Sequence, residues 1–359
     1  MKSPAPETVL RTVRGTRRRR PPCLVRLSAA PELCHVGDAL KQAAPIASNH
    51  IAMRILGIIV LASALLAGPG QALSAETTVP FTFVDNRMMI ECKINSAGPF
   101  TMVVDTGSPD VVVDSSAAKV LNLEVRSNGT ASGAGNNQAQ IGATMLGSLA
   151  IGPKLFTSVS ASVLDLSEIR TKLGFARLDG IVGYSIMKRF AVLVDADADT
   201  LTFLNAPPSV PASASTTPFT GVIPVIPATL DGIATSVIID TGDRSSLTLF
   251  GPFAKSHGFY GRYPSQSNIV TGYGLGGPVY GDVFTLPSID IFGKQVSGVV
   301  TRASRQTGGV FTSNQQGGSI GEGVLKRFNI VYDYPNKRII AWPNKNFDLT
   351  DRFIPPPKS

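Results

Sequence analysis

The tripeptide Asp-Thr-Gly occurs twice in this chain, each time directly after two aliphatic residues, as VVDTG at 103–107 and IIDTG at 238–242. Two carboxyl groups held about 3 Å apart cannot both ionise, so they share one proton. One of them can then take a proton from a water molecule while the other donates a hydrogen bond to a carbonyl group. If a two-fold axis relates the two tripeptides, Asp105 and Asp240 could hydrolyse an amide bond without a metal or a nucleophilic side chain.

The residues that follow the two aspartates suit this arrangement. Gly107 and Gly242 allow a tight turn that brings backbone N–H groups to the carboxylates. Thr106 and Thr241 can form hydrogen bonds across the axis and hold the two loops together. The alternative is that both tripeptides are ordinary turns, in which Asp and Gly are common. That alternative explains neither the duplication nor the aliphatic residues before each copy.

Other kinds of site have little support in the sequence. After residue 75 the one histidine is His257, and a surface position is its simplest interpretation. A Ser-His-Asp or Cys-His arrangement would depend on it alone. No cluster of His, Cys and acidic residues has metal-ligand spacing, so we predict no metal and no cofactor. The GYGLGG segment at 272–277 has the glycine pattern of a dinucleotide site, but a strand-like segment follows it, which favours a hairpin tip.

The elements that must position the aspartates are mostly strands. Short runs of Val, Ile, Phe and Thr recur between Gly, Asn, Asp and Pro, and they predict a β-rich body. Short helices are expected within 114–123, with Asp114 or Ser115 as N-cap, and within 249–259, ending at Gly258. The single cysteine of the body, Cys92, lies in a strand-like segment and is expected to be buried.

An internal repeat divides the body in two. Six identical residues recur at a constant offset of 138 between segments 179–203 and 317–342, and the two aspartates are 135 residues apart. This period is too long for a solenoid and predicts two copies of one domain. A Pro/Ser/Ala/Thr-rich segment separates the copies.

The first 75 residues differ from the rest. Residues 1–52 contain nine Lys or Arg against three acidic residues and so carry most of the net charge of +8. We interpret this segment as an unstructured upstream extension and do not predict nucleic-acid binding, despite its RGTRRRR run. Residues 53–75 have a positive start, a short apolar run and small residues, which is typical of a secretory signal peptide. The rival interpretation is an Arg-rich organelle transit peptide.

These boundaries predict the organisation of the whole chain and its location. The protein is expected to be secreted or periplasmic, with no stable membrane span after signal cleavage. The predicted segments are an upstream extension (1–52), a signal peptide (53–75), an N-terminal lobe (76–206), a linker (207–217), a C-terminal lobe (218–345) and an extended tail (346–359).

The paired motif resembles the aspartic proteases of the pepsin/retropepsin clan, particularly bacterial proteins that carry two retropepsin-like lobes in one chain. The resemblance also includes the later elements Ile181-Val182-Gly183 and Ser319-Ile320-Gly321, which in the family pack behind the catalytic loops. It implies an all-β fold of two homologous β-barrel lobes with an active-site cleft between them. It also implies flap hairpins at 130–140 and 270–281, where the candidate flap residues are Gly133, Gly135, Gly272, Tyr273 and Gly274.

Several residues depart from the family pattern. Ser319 replaces an apolar residue of the family pattern. The flap tyrosine, Tyr273, lies in the second lobe, whereas pepsin-like enzymes carry it in the first. Either both flaps work, or the substrate lies in the opposite direction along the cleft. After Asp-Thr-Gly the family usually has Ser, Thr or Ala, and Ser108 can donate a hydrogen bond to Asp105. Asp243 cannot donate in this way. We hypothesise that it raises the pKa values of the two aspartates and moves the usable pH range upward, unless Arg244 neutralises it or it points outward.

The sequence therefore predicts an aspartic endopeptidase that acts on peptide or protein substrates through Asp105 and Asp240. Thr106, Gly107, Ser108, Thr241 and Gly242 are its predicted support. Since one chain carries both aspartates, a monomer is expected to suffice for catalysis. The alternatives are a catalytically impaired peptide-binding protein with the same two lobes, and a purely structural two-domain β protein.

Overall fold

A computed structural model describes residues 76–357 of the chain. The predicted upstream extension and signal peptide lie outside the described residues. Within 76–357 no helix is both long and apolar enough to cross a membrane.

The described part before residue 207 contains eleven strands and three short helices. The strands are β1 Thr77–Pro80, β2 Thr82–Val84, β3 Arg87–Ile94, β4 Ala97–Val104, β5 Val111–Asp114, β6 Arg126–Ser132, β7 Gln138–Ile151, β8 Lys154–Leu164, β9 Gly180–Val182, β10 Ala191–Asp195 and β11 Thr200–Leu204. The helices are α1 Ser115–Val120, α2 Ser167–Lys172 and α3 Tyr184–Met187.

The part after residue 207 contains ten strands, two α-helices and one 3₁₀ turn. The strands are β12 Ser215–Pro218, β13 Val225–Leu230, β14 Ile233–Ile239, β15 Leu247–Leu249, β16 Gln266–Gly274, β17 Gly277–Ile291, β18 Lys294–Ser304, β19 Gly318–Ile320, β20 Phe328–Asp333 and β21 Arg338–Pro343. The helices are α4 Gly251–Ser256 and α5 Glu322–Leu325, and the 3₁₀ turn is Val310–Thr312.

Each half forms a closed barrel of six strands. In the first half the order is β3-β4-β9-β5-β8-β7, and pairing of β3 with β7 closes the ring. In the second half the order is β13-β14-β19-β15-β18-β17, closed in the same way by β13 and β17. Closure leaves no open sheet edge within a ring, and the buried residues alternate along strands such as β8. The predicted all-β fold of two homologous barrel lobes is confirmed.

A third sheet joins the two lobes. Its order is β1-β11-β10-β20-β21-β12, so each lobe contributes three consecutive strands. The central pair, β10 and β20, is antiparallel, with Ala191 opposite Asp333 and Val194 opposite Ile330. Strands β1, β11 and β10 of the first lobe correspond to β12, β21 and β20 of the second, in the same order from each edge inward. A pseudo-two-fold axis therefore passes between β10 and β20.

The predicted helices at 114–123 and 249–259 are both present, though shorter than those segments. Asp114 is the N-cap of α1, because its side chain accepts a hydrogen bond from the backbone N–H of Ser116, 3.0 Å away. Gly258 adopts a positive φ of 66° just after α4. The GYGLGG segment spans the tip of the β16–β17 hairpin, and no helix begins there.

Two segments are more ordered than the sequence suggested. Residues 215–217 of the predicted linker belong to β12, an edge strand in which Ser215 pairs with Ala341. Thr is common in strands, and this half-exposed edge strand does not require large apolar residues. The predicted extended tail is fastened to the second lobe. Phe347 packs edge-on against Phe328 with ring centroids 5.4 Å apart, and the Asp351 carboxylate accepts a hydrogen bond from the Val300 N–H, 2.8 Å away.

Candidate active site

The two predicted aspartates meet at the pseudo-two-fold axis. Asp105 follows β4 and Asp240 follows β14, and each strand lies beside a parallel partner, β9 or β19. The backbone N–H of Asp105 donates to Val182 O and that of Asp240 to Ile320 O, both at 3.0 Å. The two carboxyl groups lie within hydrogen-bonding distance of each other. The structure therefore brings together two side chains that are 135 residues apart in the sequence.

Gly107 and Gly242 leave the space that this meeting requires. Their backbone N–H groups donate to Oδ1 of Asp105 and Asp240, at 2.7 and 2.9 Å. A Cβ atom on Gly107 would lie 2.6 Å from Cγ of Asp240, and one on Gly242 would lie 2.4 Å from Cγ of Asp105. Any side chain at either position would therefore displace the opposite carboxyl group.

Thr106 and Thr241 hold the two loops together through reciprocal hydrogen bonds. The backbone N–H of each threonine donates to the hydroxyl oxygen of the other at 3.0 Å. Each hydroxyl in turn donates to a carbonyl of the other lobe at 2.8 Å, Thr106 to Ile239 and Thr241 to Val104. Both threonines are fully buried, so these four bonds replace bonds to water.

Ser108 does not support Asp105 in the way the sequence suggested. Its hydroxyl donates to the backbone carbonyl of Asp110 at 3.0 Å instead of to the Asp105 carboxylate. The prediction was wrong because the serine side chain closes its own short turn, a local contact that serine often makes.

Asp243 points inward, but its neutralising partner is Arg302 and not Arg244. Nη2 of Arg302 lies 3.0 Å from each carboxylate oxygen of Asp243, and the two side chains are only 8% and 5% exposed. The hydroxyls of Ser245 and Thr248 also donate to this carboxylate, at 2.7 and 2.9 Å. The suggestion that Arg244 might neutralise Asp243 was therefore wrong.

The apolar-apolar-Gly elements lie directly behind the two Asp-Thr-Gly loops. A Cβ atom on Gly183 would lie 2.5 Å from the carbonyl oxygen of Ser108, and one on Gly321 would lie 2.4 Å from that of Asp243. Only glycine fits this close approach of two backbones. Ser319, which departs from the family pattern, is buried in β19, and its hydroxyl has no hydrogen-bond partner among the described residues.

The electrostatics of the two aspartates differ. Burial raises the pKa of Asp105, whereas the Gly107 N–H, the bond to Asp240 and the positive charge of Arg87 act in the opposite direction. The pKa of Asp240 is raised well above its usual value by burial and then by the negative charges of Asp105 and Asp243. For Asp243 itself, burial alone would raise the pKa, but Arg302 and the hydrogen bonds hold it below its usual value. The positive charge of Arg87 therefore favours the ionised form of Asp105, whereas the negative charge of Asp243 favours the protonated form of Asp240.

A cavity of about 380 Å³ lies over the two aspartates. Apolar side chains form most of its first-lobe wall, which Arg87 and Asp110 also line, and its second-lobe wall carries Asp243, Arg244 and Arg302. The main apolar lining residues of the first lobe are Val103, Val112, Ile141, Leu164, Phe175 and Ile181. The space therefore offers a buried apolar surface beside the two carboxyl groups.

Two hairpins cover the cavity: the first-lobe hairpin, β6–β7, and the second-lobe hairpin, β16–β17. The predicted flap residues Gly133, Gly272, Tyr273 and Gly274 line the cavity, and Gly135 lies at the tip against the opposite hairpin. Tyr273 packs against an apolar cluster of the first lobe, so the second-lobe hairpin reaches across the cleft. Residues of both hairpins therefore lie over the cavity.

The hairpin tips are bonded to each other and to a second-lobe loop, residues 306–310. Gly135 N–H donates to Leu275 O at 2.9 Å, and Asn137 N–H donates to Gly276 O at 3.1 Å. Nε2 of Gln306 donates to Ala134 O at 2.9 Å. These bonds between the hairpin tips and the 306–310 loop close the cavity on the side opposite the two aspartates. We call this covering the roof of the cavity.

Sequence reasoning missed three residues of the site: Arg87, Arg302 and Gln306. Each bonds a site residue that is far away in the sequence, Arg87 to Gly242, Arg302 to Asp243 and Gln306 to Ala134, and none belongs to a motif. The only available signal was the unexplained charge of Asp243, since a buried carboxylate requires a partner. The charge of Asp243 predicts a Lys or Arg partner, but the sequence does not identify which residue it is.

The known proteins that this chain is similar to are aspartic proteases. Residues 90–186 match the family described as "Aspartyl protease". The fold resembles that of the aspartic proteinase from Irpex lacteus, with a TM-score of 0.51 and 15% identity, over 77% of this chain and 100% of that one. A retropepsin-like aspartic protease from Rickettsia conorii is 22% identical over 36% of this chain and 89% of its own, with a TM-score of 0.28. No curated protein sequence matches the chain significantly.

The fold and the site define a two-lobed, all-β protein with one aspartate from each lobe at the floor of a covered cleft. The first lobe matches the aspartyl protease family over residues 90–186, and the whole fold is similar to that of a two-lobed aspartic proteinase.

Proposed function

We propose that the protein is an aspartic endopeptidase in which Asp105 and Asp240 activate a water molecule. The observation that carries this proposal is the hydrogen-bonded pair of half-buried carboxyl groups at the floor of the covered cavity. Two such groups share one proton and thus supply a base and an acid at the same pH. The family match and the fold support peptidase chemistry.

The asymmetry of the pair suggests the two roles. Ionised Asp105 takes a proton from a water molecule as the water oxygen attacks the carbonyl carbon of the substrate. Protonated Asp240 donates its proton to the carbonyl oxygen, which gives a neutral tetrahedral diol. Collapse of the diol breaks the C–N bond, while a proton passes to the leaving nitrogen, and the pair returns to its singly protonated state.

An extended peptide is the substrate that suits the cleft. Such a peptide can lie under the two hairpins, with apolar side chains against the first-lobe wall. Because one chain carries both aspartates, the proposal requires only a monomer. We further propose that the protein is exported by a signal peptide beginning at Met53. N-terminal sequencing of the secreted protein tests this, and a mature start upstream of residue 53 would contradict it.

The test is cleavage of an unstructured protein between about pH 3 and pH 7. Asp105→Asn and Asp240→Asn should each abolish cleavage, as should a statine-type inhibitor. Asp110→Asn is the matched control, since Asp110 is exposed and lines the same cavity without contacting the pair. Cleavage that survives Asp105→Asn would overturn the mechanism. If the wild type binds peptides in calorimetry without cutting them, the alternative of an impaired peptide-binding protein is correct.

A further inference from the structure

One contact breaks the two-fold symmetry of the site. The turn that connects β2 to β3 in the first lobe reaches the catalytic loop of the second lobe. Nε of Arg87 donates to Gly242 O at 2.7 Å, and Nδ2 of Asn86 donates to Arg244 O at 2.9 Å. Nε of Arg244 donates to Oδ1 of Asp85 at 2.7 Å. Two carbonyls and one side chain of the loop that carries Asp240 are thus held by three consecutive first-lobe residues.

The equivalent turn of the second lobe does not do this. Residues 221–224 precede β13 just as the turn 85–86 precedes β3. Gly221 O accepts from Nζ of Lys337 at 2.9 Å, and Pro224 O accepts from the N–H of Ile239 at 2.9 Å. Among the described residues, no hydrogen bond joins this turn to the loop that carries Asp105. Within residues 76–357, the contact therefore exists at the loop that carries Asp240 and not at the loop that carries Asp105.

The same contact also brings three charged side chains to the site. The side chains of Arg87, Asp85 and Arg244 are 11%, 13% and 6% exposed, so their charges are poorly screened. Asp85 bonds both arginines, with Nη1 of Arg87 at 2.6 Å, which leaves one net positive charge in the trio. That charge lines the cavity with Asp105 and acts on it. On the other side, the backbone N–H of Asp243 donates to Oδ1 of Asp240 at 3.1 Å, so the residue next to Asp240 is negatively charged.

We propose that Asp85, Asn86 and Arg87 form an inter-lobe clamp that fixes the Asp240 loop against Asp105 and makes Asp105 the ionised member of the pair. The clamp rests on the proposed function, and its members are positioning residues. The groups that face Arg87 are Asp85, Asp105, Asp243, Arg244 and the ring of Phe175, and those that face Asp105 are Arg87, Asp240 and Tyr334.

Two substitutions of Arg87 separate position from charge. Arg87→Gln removes the positive charge, so ionised Asp105 loses stabilisation and the acid limb of the kcat/KM profile should move to higher pH. Arg87→Lys retains the charge and should leave the acid limb in place. Both lose the bond from Nε to Gly242 O, so kcat should fall about 10-fold to 100-fold in each, with KM changed less than about threefold.

Asn86→Ala is the variant that tests position alone. It removes no charge, and it should lower kcat about 10-fold without moving the acid limb. Arg177→Gln is the matched control, because Arg177 pairs with Asp179 at the surface and is 47% exposed. It should leave kcat and the profile unchanged.

The outcomes distinguish the clamp from the proposed function. If the wild type cuts peptides and Arg87→Gln leaves both kcat and the acid limb unchanged, the clamp is wrong and the endopeptidase stands. If the wild type is inactive, the proposed function fails, and carbon-13 NMR titration of the Asp105 carboxyl group still tests the clamp. In Arg87→Gln that titration should move to higher pH relative to wild type and Arg87→Lys, and coincident curves would overturn the proposal. Should Arg87→Gln not fold, Asn86→Ala and Arg87→Lys still test the clamp through kcat, and an unchanged kcat in both would overturn it.

Discussion

The carboxylate of Asp243, in the loop that carries Asp240, is held by the guanidinium of Arg302, with Nη2 at 3.0 Å from both carboxylate oxygens. The pair is nearly inaccessible to solvent, with side chains 5% and 8% exposed. The charge that departs from the family pattern is thus compensated within the second lobe. It still lies close enough to Asp240 to raise the pKa of that residue, after the larger effects of burial and of Asp105.

The first prediction concerns the pH range of activity. Asp243→Asn removes a negative charge near Asp240, so the pKa of Asp240 falls and the protonated form is lost at lower pH. The basic limb of the kcat/KM profile should therefore move to lower pH, as measured on one peptide substrate. Asp282→Asn is the control, since Asp282 pairs with Arg305 away from the cavity. Profiles that superimpose would show that Asp243 does not influence the catalytic pair.

The same substitution tests stability. It leaves Arg302 buried without a counter-charge, which typically costs about 3–5 kcal/mol. The folded-state pKa of Asp243 lies below its usual value, so its stabilising contribution is present above that usual value and is lost as pH falls through the folded one. The difference in the free energy of unfolding between wild type and Asp243→Asn should therefore shrink in acid. Urea titrations at several pH values measure it, and a constant difference would contradict the assignment.

Much of the site could be predicted because the repeat carries the necessary geometry. Two copies of one domain imply a two-fold axis, and residues that recur once per copy can meet on that axis, as Asp105 and Asp240 do. The two barrels follow from the same argument, since strand runs at equal offsets fold alike. Local signals also sufficed for the N-cap Asp114 and for Gly258 beyond α4.

The remaining contacts depend on strand register, which the sequence does not encode locally. Arg302 reaches Asp243 because β18 runs parallel to β15 with Arg302 opposite Thr248. Asp85 is 159 residues from Arg244, and only closure of the two lobes brings them together. The prediction for the Ser108 hydroxyl was wrong for another reason. The hydroxyl donates to the Asp110 carbonyl and not to the Asp105 carboxylate, and the sequence does not show which acceptor the side chain turns towards.

A second prediction addresses the reciprocal threonines. Thr241→Val keeps the shape of the side chain but deprives Thr106 N–H and Val104 O of their partners, at a cost of about 1–3 kcal/mol for each buried group. Urea unfolding should show this loss, and kcat should also fall because the loops are no longer tied. Thr241→Ser retains the hydroxyl and is the control. Equal stability of the two variants would mean that the hydroxyl is dispensable.

A third prediction concerns the roof. Gln306 links both hairpins, since its Nε2 donates to Ala134 O and to Pro278 O, at 2.9 and 3.1 Å, and its Oε1 accepts from Tyr280 N–H. Gln306→Ala should therefore accelerate hydrogen exchange in 130–140 several-fold, because the first-lobe hairpin opens more often. Mass spectrometry on peptides from this region measures the effect. Gln295→Ala, at an exposed side chain, is the control, and identical exchange in both variants would show that Gln306 does not hold the roof closed.

The last prediction uses Glu322, the residue after Gly321 in the element behind the second catalytic loop. Burial raises its pKa from 4.5 to about 8, with Lys326 acting in the opposite direction. A carboxyl group with a raised folded-state pKa adds stability that is fully present below the unfolded value and is lost as pH rises through the folded one. Between about pH 5 and pH 8 the wild type should therefore lose stability with increasing pH, by at most about 1.4 kcal/mol per unit from this group.

Glu322→Gln remains neutral in both states, so this pH dependence should disappear and the variant should gain on the wild type as pH rises. Exposed Glu168→Gln is the control and should follow the wild type throughout. Urea unfolding at about pH 5 and about pH 8 is sufficient, because the predicted gap between variant and wild type widens across that window. A gap of the same size at both values would show that Glu322 is ionised in the folded protein. Lys326 would then compensate the buried charge, and the second catalytic loop would rest on an ion pair instead of a neutral acid.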